Sequence, residues 1–197
     1  MRSATRGIVR RVLAVVGVVL LMMAAGCGAT RPAADDRASA DNTAAAGGSA
    51  GTEFGGTDLA WIELMIPMDE QALPVLDLLA QRAADPELAK VAVGLRTVYD
   101  AELPKLRALG QQAAIPADNP HKGHKMPGLV DADRLASIRD ATGAEFERQA
   151  VECLREHLDQ LASLAKSELR NGTSPAVKAV AQTVADTRTT YRARLPE

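Results

Sequence analysis

From Thr57 onward, apolar and polar residues alternate with the period of a helix. Leu88, Val91, Leu95 and Val98 recur at 3-4-3 spacing, which lines one helix face with core side chains. Phe146, Ala150, Leu154, Leu158, Leu161 and Ala165 repeat the pattern further along. The boundary residues agree with it. Asp85-Pro86 and Ser174-Pro175 each set a capping side chain before a proline at the first helical position, where the missing N–H costs nothing. Thr57 is placed to cap a first helix reaching about Ala84, and Gly110 is placed to end the second. Thr142 and Glu145 have the spacing of a capping box for the next long helix, which Asn171-Gly172 closes. Between the two halves, residues 111–130 read as loop and 131–140 as a short helix. Pro67, Pro74 and Pro104 fall inside helical stretches, so local bends or breaks are expected there.

The two halves are one helical hairpin written twice. Pro86 and Pro175 lie 89 residues apart, and the same offset carries Leu88, Val91 and Leu95 onto Val177, Val180 and Val184 without a gap. It also carries Met68 onto His157 and Glu70 onto Asp159. Two short links and one long connection give an all-α four-helix bundle made of two repeated helical hairpins. The equivalent helices are expected to pack together, with any shared site between them.

The first residues carry a different message. Arg2, Arg6, Arg10 and Arg11 precede an apolar run from Val12 to Ala25, the layout of an export signal and too short for a membrane span of about 20 residues. The run ends in Ala24-Ala25-Gly26-Cys27. Small residues before a cysteine resemble the bacterial lipobox, which makes Cys27 the expected site of lipidation and 1–26 a lipoprotein signal peptide. Acyl chains on Cys27, palmitate among them, contribute about 0.8 kcal/mol per buried methylene and would hold the protein on the extracytoplasmic face of the cell membrane. Residues 27–56 are almost wholly Ala, Gly, Ser, Thr and Asp, with Phe54 the one bulky apolar side chain. Such a stretch is expected to be a disordered linker with a reach of roughly 30 Å. The bundle domain is then 57–197.

Charge narrows the partners. Four of the 23 Lys and Arg residues precede Cys27, leaving 19 against 25 acidic residues in the mature part. That excess of acid argues against nucleic acid and gives no sign of anionic-lipid binding beyond the anchor itself. With Cys27 lipidated, Cys153 has no disulfide partner, so stability must come from the core. The protein partner is left open.

Asp58–Ala72 reads DLAWIELMIPMDEQA, Gly143–Glu147 reads GAEFE and Cys153–Leu161 reads CLREHLDQL. These segments resemble the family known as domain of unknown function 305, whose halves carry the patterns D-x-x-F-x-x-M-M-I-P-H-H-E-Q-A and M-M-I-x-H-H-E-G-A. The resemblance spans Thr57 to Leu195 and implies a ferritin-like bundle. Several members are exported copper-binding proteins, with the paired histidines as the implied ligands. Here the first pair is Met68-Asp69 and the second His157-Leu158, while Leu64, Cys153 and Leu154 stand where the family has methionines. One histidine of four remains.

Two candidate metal sites follow. Cys153 and His157 lie four apart on one helix face, Met65 and Met68 three apart on the equivalent helix, and Asp69 is adjacent. Thiol, thioether and imidazole form a soft set that selects copper as Cu(I). In the central loop, His121, His124 and Met126 fall within six residues and could chelate copper without a preformed pocket. Against both stands a plainer account, in which the sulfur residues fill the core and the loop histidines are solvated. Catalytic patterns are absent: no Glu-x-x-His pair for a di-iron site, no zinc-protease helix, no phosphate loop and no nucleophile elbow occur. Glu70 and Asp159 could face each other, but two carboxylates alone more often sit in a solvated groove. The expectation is a non-enzymatic lipoprotein that binds a soft metal. Its rival is an interaction or structural lipoprotein that has lost the metal, and a carrier using apolar space between bent helices is a third class.

Overall fold

Five helices follow one another in the computed structural model, which describes residues 53–116, 118 and 125–197. They are α1 (Gly56–Arg82), α2 (Pro86–Gln112), α3 (Ala132–Asp140), α4 (Gly143–Asn171) and α5 (Pro175–Arg192). The four long helices form two hairpins, α1 with α2 and α4 with α5; α1 packs on α4, α2 on α5, and α3 rests against α1 and α4. The all-α bundle of two hairpins is thus the observed architecture. Among the described residues, no helix is long and apolar enough to cross a membrane. Cys27 and the expected export signal lie outside the described residues.

The core is the apolar stripe of each helix turned inward. Ile62, Leu76 and Leu79 from α1, Leu95 and Leu106 from α2, Leu154, Leu158 and Leu161 from α4, and Val177 and Val184 from α5 are all buried. Phe54 is buried with them. The packed bundle therefore includes residues ahead of Thr57, because the one bulky apolar side chain of the expected linker reaches the core.

Several local expectations change. Gly55, not Thr57, caps α1, and the Asp58 carboxylate accepts the Gly55 N–H at 2.6 Å. Thr142 precedes α4 without a side-chain cap, and the Glu145 carboxylate is taken by Arg148 and Gln149 instead of closing a capping box. α2 runs on through Gly110, which packs beside Ile62 and Ile66, to Gln112. The three internal prolines do not break their helices. Each proline forgoes one i→i−4 bond; at Pro74 and Pro104 the residue four back, Glu70 or Asp100, is exposed, so water can serve its carbonyl.

Candidate functional site

Where the two hairpins meet, four helices contribute polar side chains to a dry interior. Asp69 (α1), Glu102 (α2), His157 (α4) and Arg188 (α5) are all buried, and Tyr99 (α2) is buried among them. The Arg188 guanidinium donates from Nη2 to Asp69 Oδ1 at 2.9 Å and to Glu102 Oε1 at 2.6 Å, and from Nη1 to Glu102 Oε2 at 3.0 Å. Its Cζ sits 4.3 Å from the centroid of the Tyr99 ring, a cation–π contact. A fork of planar donors suits this work, since it binds one carboxylate with two parallel bonds and still reaches a second.

His157 completes the chain of contacts. Its Nδ1 is 2.8 Å from the carbonyl oxygen of Gly128, and its Nε2 is 2.8 Å from the Tyr99 hydroxyl. A carbonyl can only accept, so Nδ1 carries the hydrogen and Nε2 accepts the Tyr99 O–H. Gly128 has φ +74°, and a Cβ there would stand 2.6 Å from Cβ of Gln160. Only glycine lets the loop lie this close against α4.

The repeat organises the cluster. Tyr99 and Arg188 are separated by the same 89 residues as Met68 and His157. Tyr99 reaches from the first hairpin to His157 in the second, while Arg188 reaches from the second hairpin to Asp69, the neighbour of Met68, in the first.

Burial decides the protonation states. It depresses the His157 pKa to about 4, against some help from the Gly128 carbonyl, so the ring is neutral. Burial also raises Asp69 above its ordinary value, with Arg188 opposing the rise and Glu102 adding to it. Tyr99 is pushed up by burial as well. Burial works to lower Arg188, but Tyr99, Asp69 and Glu102 together hold it above its usual value.

The expected helix-borne metal site does not fit this arrangement. Met65 and Met68 are fully buried core residues. The Nε2 lone pair of His157 is taken by Tyr99, and Asp69 is tied to Arg188. Burial pushes the Cys153 thiol up to about 11, which keeps it protonated. Among the described residues, no three His, Cys, Asp or Glu side chains are grouped to hold an ion. A soft cation would have to displace a guanidinium already in place.

Cys153 faces a different set of neighbours. With Met126, Pro127, Asp131, Arg134 and Glu156 it lines a cleft of about 330 Å³ on the α4 surface. One residue from each expected site is thereby brought together. His121 and His124 lie outside the described residues. The carboxylates Glu70 and Asp159 do not pair as a dyad; each bonds an arginine of its own hairpin, Arg107 at 2.7 Å and Arg192 at 3.1 Å.

The architecture and the motif segments now meet in one finding, because the family DUF305, domain of unknown function, matches residues 58–196. The chain belongs to the DUF305 family. No curated protein matches it significantly. Solved DUF305 structures share the fold. A DUF305 fragment from Deinococcus radiodurans superposes with TM-score 0.64 at 15% identity, covering 71% of this chain and 93% of that one. CopM in the Cu(I)-bound form gives 0.59 at 20%, covering 71% and 92%. A DUF305 protein from Streptomyces coelicolor, described as secreted, gives 0.61 at 18%, covering 70% and 88%. At such identities the likeness is one of fold, and the ligands must be read residue by residue.

Sequence reasoning missed Arg188, Glu102 and Tyr99. A signal was present: Val177, Ala181, Val184 and Arg188 follow 4-3-4 spacing, which puts an arginine on the buried stripe of α5.

Proposed function

We propose that this DUF305 chain is a non-enzymatic, lipid-anchored protein of the extracytoplasmic membrane face, working there as an interaction or structural protein whose bundle centre holds an internal cation instead of a metal. The observation that carries this reading is the Arg188 guanidinium, buried between Asp69 and Glu102. A positive charge already occupies the place that the motif alignment assigns to metal ligands, and a second would meet repulsion in a medium of low dielectric. Export and anchoring rest on the basic-then-apolar segment ending at Cys27, and the secreted Streptomyces coelicolor relative is in keeping with export. Cys27→Ala should release the protein from the membrane fraction.

The test of the centre is direct. The full chain is loaded with Cu(I) or Ag(I), dialysed and analysed for metal. His157→Gln should leave retention unchanged, since His157 is engaged by Tyr99 and Gly128. Stoichiometric metal lost on that substitution would overturn the reading.

A second reading has its own observation. Met126 and Cys153 share one cleft, His121 and His124 lie just ahead of Met126 in the chain, and the relative CopM holds Cu(I). On this reading a soft metal binds at the surface, displacing the Cys153 proton as it does so. Cys153→Ser and Met126→Leu would then abolish retention where His157→Gln does not, so the same measurement separates the two.

A further inference from the structure

A second buried acidic pair lies at the end of the bundle where the chain enters α1. Asp58 accepts hydrogen bonds from the Gly55 N–H at 2.6 Å, the Thr173 N–H at 3.1 Å, the Thr173 hydroxyl at 2.7 Å and the Ser174 N–H at 3.0 Å. It therefore ties the first turn of α1 to the link between α4 and α5. Glu168, in the last turn of α4, is buried against this knot, and no donor reaches either of its carboxyl oxygens.

The Glu168 carboxyl is seated where a side chain on the next link would stand. A Cβ built on Gly172 would come 1.8 Å from Glu168 Oε1 and 2.6 Å from its Cδ. The charged groups that bear on Glu168 are Asp58 from α1 and Lys178 from α5. Two carboxylates can bond to each other only when one of them carries a proton. Asp58 cannot readily be that one, because four donors already point at its oxygens. Nor does the pair suit a metal ion, since the same donors occupy Asp58 and leave Glu168 as the only free carboxylate.

We propose that Glu168 and Asp58 form a one-proton latch: the Glu168 O–H donates to the Asp58 carboxylate and fastens the start of α1 to the α4–α5 link, and loss of that proton to solvent opens it. With both groups ionised, two like charges face each other in a dry corner, and Glu168 must swing out past Gly172. The chemistry agrees on which group titrates. Burial raises Glu168 to about 7, with Asp58 contributing. Burial also works to raise Asp58, but its bonds from Thr173, Glu168, Ser174 and Gly55 bring it well below the carboxylate range.

The test compares the full chain with Glu168→Gln, which keeps a permanent N–H donor toward Asp58 at every pH. Amide hydrogen exchange is read at Gly55, Thr173 and Ser174. Relative to Glu168→Gln, protection in the wild type should fall about tenfold between about pH 6 and pH 8. Gly172→Ala, which evicts the carboxyl from its seat, should show low protection at both. Carbon NMR of the Glu168 carboxyl supplies a reading independent of any variant and should give a midpoint near neutrality. The same pH dependence in the wild type and Glu168→Gln, or a Glu168 midpoint at the ordinary glutamate value, would overturn the latch.

Discussion

Two buried carboxyl pairs sit in this bundle, one at its centre and one at its end, and they are neutralised in different ways. At the centre, Asp69 and Glu102 share the guanidinium of Arg188, a cation that no accessible pH removes. At the end, Asp58 is surrounded by backbone and hydroxyl donors, and no donor reaches the Glu168 carboxyl oxygens. A guanidinium is permanent and covalently part of α5. A proton exchanges with water. The centre should therefore behave as a fixed pin across the neutral range, and the end as a fastening that depends on pH. The contrast bears on function, because a bundle pinned by its own arginine can hold its shape without a metal.

The largest expected effect comes from pulling the pin. Arg188→Ala leaves two buried carboxyls without their cation and should cost about 3–5 kcal/mol in denaturant unfolding. Replacing the whole cluster with apolar residues, as in Arg188→Met with Asp69→Leu and Glu102→Leu, should recover most of that loss. A cost below about 1 kcal/mol for Arg188→Ala would mean the centre is held by packing alone.

The next effect sets the two ends of the comparison against each other in pH. His157 is depressed from 6.5 to about 4 by burial, so the unfolded chain takes up its proton first. Its contribution is complete above about pH 6.5 and is lost as pH falls toward 4, a change on the order of 2–3 kcal/mol. Glu168 has the opposite sign. Raised from 4.5 to about 7, it stabilises the fold fully below about pH 4.5 and loses that contribution as pH rises through 7. Between these values the slopes oppose each other in the wild type. His157→Gln should unmask a stability that falls with rising pH, and Glu168→Gln one that rises. Melting temperatures of the three proteins across that range provide the check, and parallel profiles would remove the distinction.

The sequence carried the architecture in full view and the clusters only in outline. The 3-4 stripes, the two Pro-led helix starts and the 89-residue offset were enough for two hairpins, because each helix buries one continuous face. The same stripes also contained the charged residues. Asp58, Ile62, Met65 and Asp69 lie on one buried face of α1, and Leu158, Leu161, Ala165 and Glu168 on one of α4. A charged residue on a buried stripe signals a partner, but periodicity cannot say which helix supplies it. Arg188 meets Asp69 across 119 residues of chain, and only the three-dimensional structure joins them. For a related reason, spacing alone did not show how the helix-borne metal candidates are engaged. The spacing of Cys153 and His157 was real, yet the His157 nitrogens were already engaged by Gly128 and Tyr99.

A smaller effect is expected at the end of the bundle. Asp58→Ala leaves the Gly55, Thr173 and Ser174 amides without their carboxylate acceptor, at a cost of about 2 kcal/mol. Asp58→Asn keeps an acceptor but removes the charge. It should lower the Glu168 midpoint toward that of an ordinary glutamate, as carbon NMR would show. An unchanged midpoint would mean that burial alone sets it.

The smallest effect belongs to the exposed carboxylates, which show what burial adds. Glu70 and Asp159 are equivalent under the 89-residue offset, yet Glu70 bonds Arg107 of α2 and Asp159 bonds Arg192 of α5. Their side chains are 43% and 62% exposed, so water screens both pairs. Glu70→Gln and Asp159→Asn should each change stability by less than about 1 kcal/mol, and by less still in high salt. Because each carboxylate is held within its own hairpin, the double substitution should equal the sum of the singles within about 0.5 kcal/mol. A double-mutant cycle measures this. Coupling above about 1 kcal/mol would mean that the two carboxylates act on each other across the bundle, as a shared acidic site requires and as two separate surface pairs cannot.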